Sequence, residues 1–432
     1  MKVNLFGDGP TSVRSVAVLG CLVFYLFAGT TAAEVHAANI QPRAPQSSCA
    51  LPPERRILDS LLNHNHDLAH SLIESTDFSH TMIRSKSFYQ AALTWSRAHR
   101  KGNNPESDRL LREAASQIKK ILRKLNNQTH AQSREEVILS TGLALSHGAR
   151  MLLYSGQYLT GYRFGKQGIR LLNQFRQTAS PTVEENAAIS LILGLYEVYI
   201  SNIPDHLKYL DYLVGKPALG HASKLETGIR EIELAIKQSP HFASEAARAL
   251  LMETPWNLNH ICRQVNLADT MVAQYANNLD FSALYQGFLL KCGFAELALK
   301  ENNRALASAG LDAAVGQRVN GKSSDTESWR TLFYKGRLRA LADLGRAHEL
   351  AQNPISSSAL RPFYLAALAN ALDITAQRQR AVKIYTQIMN LADAPESLRR
   401  SAKMRLRYPY TRPKPRSSQL PIELAVCPKD HN

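Results

Sequence analysis

The stretch Leu110–Leu125, LLREAASQIKKILRKL, decides the fold class. Its apolar residues Leu110, Leu111, Ala114, Ala115, Ile118, Ile121, Leu122 and Leu125 recur at three- and four-residue steps. That spacing aligns them along one side of an α-helix and leaves the other side to Arg, Lys, Glu and Gln. The same period runs through most of the chain. It predicts helices over 56–75, 80–100, 106–126, 132–154, 157–177, 182–201, 204–214, 223–238, 241–253, 258–277, 281–300, 327–345, 359–375, 377–392 and 395–406. Breaks fall at Gly102 to Pro105, Asn126–Asn127, Ser180-Pro181, Ser239-Pro240, Asn353-Pro354 and Asp393 to Pro395, all residue types that end helices or open turns. No alternating, strand-like stretch of useful length interrupts the pattern, and the polar run 316–325 reads as a loop. With 22 Gly and 19 Pro in 432 residues, below the ~12% average, an all-β architecture lacks its turns. A hydrophobic share of 44% excludes global disorder. The fold class is therefore all-α.

Helices of this length joined by short links suggest hairpins in series, and small residues recur in second helices where two helices must approach closely. After Gly156-Gln157-Tyr158 they are Gly161, Gly165 and Gly168; over 228–240 they are Gly228, Ala235 and then Pro240; over 377–395 they are Ala381 and later Pro395. Leu193-Gly194 precedes the second set. Leu365, Leu368-Ala369 and Leu372 precede the third, with Tyr385 after Ala381, while Leu145 and Ala149 lead into the first and Trp329-x-x-Leu332 opens a fourth. In this the chain resembles the tetratricopeptide repeat family, most clearly over 142–240 and 327–395. The third unit is degenerate, with Ile388 and Asp393 at the family's Ala and Pro positions. The second carries an inserted helix at 204–214 that lengthens it well beyond the family's ~34 residues. The resemblance implies a right-handed α-solenoid of stacked antiparallel hairpins, whose first helices line a groove for peptide segments. Carried onto this chain, the groove-facing positions are Arg150, Leu153 and Tyr154, then Leu195, Val198 and Tyr199, then Asn370, Asp373 and Ile374. Of these, Arg150, Tyr154, Tyr199, Asn370 and Asp373 are the candidate binding residues. The Lys/Asn carboxylate clamp of some relatives is not evident.

The ends carry different information. Lys2 and Arg14 precede an apolar run from Val16 to Ala28 and then small residues through Ala33, the order of a secretory signal peptide. Residues 1–33 are expected to be cleaved, with retention as a membrane anchor the alternative, so the chain reads as exported, periplasmic or extracellular. Residues 34–55, with Pro42, Pro45, Pro52 and Pro53, read as a linker to a helical domain over 56–408. Beyond it, 409–432 reads as a basic Pro-rich tail. Arg399, Arg400, Lys403, Arg405, Arg407, Arg412, Lys414 and Arg416 fall within 399–416 without an acid and supply half of the net charge of +16. Tyr410 and prolines 409, 413 and 415 favour an extended chain there. Such a segment suits anionic lipid headgroups or an acidic protein or polymer, and export argues against nucleic acid. Four cysteines outlast the leader: Cys49, Cys262, Cys292 and Cys427. Three pairings exist; Cys262–Cys292 is favoured because it links neighbouring helices, and four free thiols are the alternative.

Catalytic patterns are missing. No Gly-rich phosphate loop, GxSxG elbow, HExxH or CxxC occurs. His66 and His70 share a helix face at i, i+4, a spacing a metal can use, but a solvated polar face explains them as well. Asp205-His206 and Glu197 lack a nucleophile or oxyanion hole. The expectation is a non-enzymatic scaffold without cofactor or metal, which binds another protein of the cell envelope. A second reading is a ligand-binding or transporter-associated component with a pocket near 204–214, lined by Tyr199, Tyr209 and Tyr212.

Overall fold

The computed structural model describes residues 52–78, 85–100, 105–127, 134–154, 157–201, 224–253, 258–276, 278–308, 324–352 and 359–416. The leader, Cys49, the 204–214 insertion with Tyr209 and Tyr212, the 316–325 loop, Cys427 and the tail past 416 lie outside them. All regular structure in the described residues is helical. In chain order the helices are α1 (Pro53–Leu62), α2 (His66–Ser75), α3 (Lys86–Arg100), α4 (Pro105–Asn127), α5 (Arg134–Tyr154), α6 (Tyr158–Thr178), α7 (Val183–Ser201), α8 (Lys224–Gln238), α9 (Ala243–Glu253), α10 (Leu258–Arg263), α11 (Val265–Gln274), α12 (Leu279–Lys291), α13 (Ala295–Ser308), α14 (Ser324–Asp343), α15 (Ala347–Gln352), α16 (Arg361–Ile374), α17 (Arg378–Asn390) and α18 (Glu396–Arg407). No helix of the described residues is long and apolar enough to cross a membrane.

Three periodic stretches that read as single helices are each two. Over 56–75 the break lies at His64, with φ +55°; over 281–300 it lies at Gly293, with φ +86°; over 258–277 it lies at Gln264, between α10 and α11. The linker also ends sooner than expected, because Pro53 opens α1 and Glu54 and Arg55 are buried. Proline is suited to a first helical turn, where its missing N–H costs nothing.

One turn recurs. After α1, α12, α14 and α16 a residue in the left-handed region closes the helix: His64, Gly293, Gly345 (φ +70°) and Ala376 (φ +59°). At each, its own N–H reaches the carbonyl three residues back. The following N–H reaches five back: Asn65 to Ser60, Phe294 to Leu289, Arg346 to Leu341 and Gln377 to Leu372, at 2.8–2.9 Å. This double bond pattern satisfies carbonyls left over at a helix C-terminus. The next helix starts one residue later, so four hairpins are folded by one device. Gln157 bonds back to Leu152 at 2.9 Å between α5 and α6 in the same register.

The described residues fall into two compact units, one within 52–260 and 269–278, the other within 261–268 and 279–416. In the first, each helix from α1 to α9 packs mainly on its sequence neighbours. The α7–α8 contact explains the small residues. A Cβ on Gly194 would stand 2.6 Å from the Gly228 carbonyl oxygen, and one on Gly228 2.7 Å from that of Gly194. Only hydrogen at both positions lets the two backbones cross so closely. The row also returns on itself, because α1 packs against α9. Asp59 of α1 ties this closure. Its Oδ1 accepts from Arg55 Nε (2.7 Å), Ser244 Oγ (2.7 Å) and the Tyr275 hydroxyl (2.5 Å), while Arg55 Nη1 donates to the Pro240 carbonyl (2.8 Å).

In the second unit α12 to α18 pair in sequence, and first helices also touch the next first helix, α12 with α14, α14 with α16 and α16 with α18. A core of Leu338, Leu341, Leu350, Tyr364, Leu372, Ala381, Tyr385 and Ile388 runs through the last hairpins. Cys262 and Cys292 form the favoured disulfide, with Cα atoms 5.7 Å apart.

Candidate functional site

The second unit presents the C-terminal ends of α12, α14 and α16 in succession, and the chain lays its own residues 408–416 across them. The path begins at α18. Arg378, at the start of α17, donates through Nη2 to the carbonyls of Arg405 (2.7 Å) and Leu406 (2.8 Å), which closes α18. Tyr408 and Pro409 then turn the chain out of the helix. The Tyr410 backbone N–H donates to Asp373 Oδ2 (2.7 Å), and its hydroxyl donates to Asp343 Oδ1. The Arg405 guanidinium lies 4.8 Å from the Tyr410 ring centroid, within cation–π range. Six residues on, the Arg416 N–H donates to the Cys292 carbonyl (2.9 Å). Between them Lys414 passes over Gly293, where a Cβ would stand 2.6 Å from the Lys414 carbonyl oxygen. Gly293 thus serves twice, for its left-handed turn and for room under the strap.

The electrostatics fit a cationic occupant. Each helix C-terminus carries about half a negative charge in its unpaired carbonyls, and two of these ends add a carboxylate. The Asp373 side chain is wholly buried; Arg378 Nη1 reaches both its oxygens (3.0 and 3.1 Å), and the Tyr385 hydroxyl shares its one proton between Oδ2 (3.0 Å) and Asn370 Oδ1 (2.8 Å). Burial pushes the Asp343 carboxyl above the ordinary carboxylate range, against the pull of Arg339, Tyr410 and Arg412. Its Oδ2 is buried with no hydrogen bond, the nearest cation being Arg339 Nε at 3.8 Å. Burial, then the charge of the nearby aspartate, likewise holds the hydroxyls of Tyr410 and Tyr385 far above a free phenol, so both stay protonated donors.

The basic cluster read as a tail is divided by this arrangement. Arg399, Arg405 and Arg416 are half-buried and bonded to the unit, Arg399 through the Leu391 and Ala392 carbonyls (both 2.8 Å). Arg400, Lys403, Arg407, Arg412 and Lys414 remain exposed. Residues 409–416 are therefore part of the folded unit.

The expected groove residues meet different fates. Asn370 and Asp373 are brought together, but around the chain's own groups: Asn370 Oδ1 accepts from the Tyr385 hydroxyl (2.8 Å). Ile374 packs beneath the α14–α15 turn, 2.9 Å from where a Cβ on Gly345 would stand. In the first unit Arg150 lies over the Trp95 ring, 5.2 Å from its centroid, with Arg248 at 5.5 Å. Arg150 also lines a cavity of about 50 Å³, together with Leu58, Trp95, His147 and Glu245 among others, too small for more than a water or two. Side chains of α1, α3, α5 and α9 meet there. Leu195 and Val198 are buried in packing, and Tyr199 is half-buried on α7. Tyr154 ends α5. A polar cleft of about 200 Å³ lies beside Asp59, Asn63, Asn65, Gln274 and Tyr275.

No group of three or more His, Cys, Asp or Glu in metal-binding array occurs among the described residues. His66 Nε2 instead pairs with Ser96 Oγ at 3.1 Å, and His70 is exposed. Asp343, Tyr410 and Asp59, the residues that organise the two units, were not expected from sequence. A single Asp at a helix end has no periodic signature, although the tyrosine within a basic Pro-rich segment was a visible irregularity. Comparison of the chain with protein-family profiles, with characterised proteins and with solved structures yields no match.

Proposed function

We propose that this chain is an exported helical-repeat scaffold, related in design to tetratricopeptide repeat proteins, which binds an extended segment of another cell-envelope protein. One observation carries the reading: the row of helix ends in the second unit accommodates a non-helical peptide, residues 408–416, through backbone, aromatic and charged contacts. Stacked hairpins folded by one recurring turn, and first helices that touch in sequence, support a right-handed solenoid in that unit. The n-region, apolar run and small residues of 1–33 support export. The exposed Arg400, Lys403, Arg407, Arg412 and Lys414 support a further contact with an acidic polymer or anionic headgroups. Catalysis and a cofactor have no part in the proposal. Affinity capture of the full-length chain from its own envelope fraction, after brief crosslinking, should return one partner protein in near-stoichiometric amount. Recovery of the chain alone, or only in the unprocessed form from the cytosol, would sink the proposal.

A further inference from the structure

We propose that the helix ends of α12, α14 and α16 form a peptide-docking track for a tyrosine-bearing, basic, proline-rich segment, and that residues 409–416 mask it in the resting protein. The inference rests on the scaffold reading and gives its partner a chemistry. The track recognises four things. The Asp373 carboxylate takes a backbone N–H (2.7 Å), and the buried Asp343 takes a phenol hydroxyl. The Arg405 guanidinium covers the phenol ring (4.8 Å). At the far end, the Cys292 carbonyl takes a second backbone N–H six residues on (2.9 Å). The hydrogen at Gly293 keeps the middle of the track low enough for a main chain to pass.

Two observations support exchange. Thr411, Arg412, Lys414 and Pro415 of the occupant are exposed, so its hold rests on Tyr410 and two backbone bonds and not on a continuous apolar face. And Asp343 retains a buried oxygen without a hydrogen bond, a polar atom that a ligand with one more hydrogen-bonding group beside its tyrosine would satisfy. A partner segment of this chemistry competes with an occupant tethered through two residues. With an effective concentration of ~1 mM for such a tether, and an intrinsic Kd of ~10 μM, the strap weakens binding in trans roughly 100-fold.

The test uses the full chain with a protease recognition sequence inserted between Tyr408 and Pro409, cleaved after folding and freed of 409–432 by gel filtration. A labelled peptide, Pro-Tyr-Thr-Arg-Pro-Lys-Pro-Arg, is titrated by fluorescence anisotropy. The expected result is weak binding to the uncut protein, an apparent affinity at least tenfold higher after cleavage, and loss of that gain with the Tyr→Ala peptide. If the cut protein loses helical circular dichroism, added peptide is expected to restore it. The proposal falls if the cut protein stays helical and does not bind at millimolar peptide, if cut and uncut proteins bind equally, or if peptide fails to restore lost helicity. Peptide exchange without a captured envelope partner would leave the track standing and remove the proposed partner's location. A captured partner without peptide exchange would do the reverse.

Discussion

At the residue scale, single side chains and single dihedrals carry more than their share. Ala376 sits at φ +59°, where the other hairpin turns of the second unit have glycine. Its Cβ crowds the neighbouring carbonyl, a cost that glycine lacks. Ala376→Gly should therefore raise stability by about 0.5–1 kcal/mol, read as a higher denaturant midpoint at unchanged slope. A lower midpoint would show that the methyl contributes packing that outweighs the strain. Asp343 gives a pH signature. Because burial raises its folded-state value, its contribution is complete in acid, where folded and unfolded forms are both protonated, and is lost as pH rises through that elevated value. The stability of the wild type relative to Asp343→Asn should be greater near about pH 4 than near about pH 7. Equal differences at the two pH values would show that folding does not raise the titration of this carboxyl.

At the element scale, the hairpin is the unit of construction, and its turns explain where reading by period succeeded and stopped. Apolar periodicity located the long helices to within a few residues, because one buried stripe every three to four positions has few other solutions. It ran straight through His64 and Gly293, since a left-handed residue shifts the helix axis without altering the spacing of apolar side chains. Gly293 was visible as an isolated glycine in a helical pattern. His64 was not, because only the tertiary closure of the hairpin drives a residue with a Cβ into that region, whereas the break at Ala376 was read from the change of stripe between 359–375 and 377–392. The small-residue sets were legible for a geometric reason. Gly194 and Gly228 face each other where backbones cross, and nothing larger fits. Between elements, the Cys262–Cys292 disulfide closes a segment of 30 residues in sequence separation. In the chain-entropy account such a loop is worth roughly 3–4 kcal/mol. The Cys262→Ala, Cys292→Ala protein should unfold at lower denaturant by that amount, and reductant should shift the wild type alike while leaving the double variant unmoved. A reductant effect on the variant would place the linkage elsewhere.

At the scale of the whole molecule, the described residues cluster into two compact units. In the first, α1 returns to α9, and side chains of α1, α3, α5 and α9 line a small cavity. In the second, the helix ends are covered by the chain's own basic segment. The ends of the chain set its proposed address: if residues 1–33 are a cleaved leader, intact mass spectrometry of the protein from its native exported fraction should give a chain starting at Glu34. Retention of Met1 would favour an anchored form.

Helix content and the hairpin partners α5–α6, α7–α8 and α16–α17 were legible in the sequence itself, because each depends on spacing within a few turns of one or two neighbouring helices; Cys262–Cys292 was only favoured there, and the folded chain selects it. The closure of the first unit, the meeting of Asp343 and Asp373 at Tyr410, and the docking of 409–416 were decided only in three dimensions. They join residues far apart in the chain, 67 positions for Tyr410 and Asp343 and 216 for Asp59 and Tyr275. Such pairs leave no local period. Their energy comes from burial and charge that exist only once the helices have stacked.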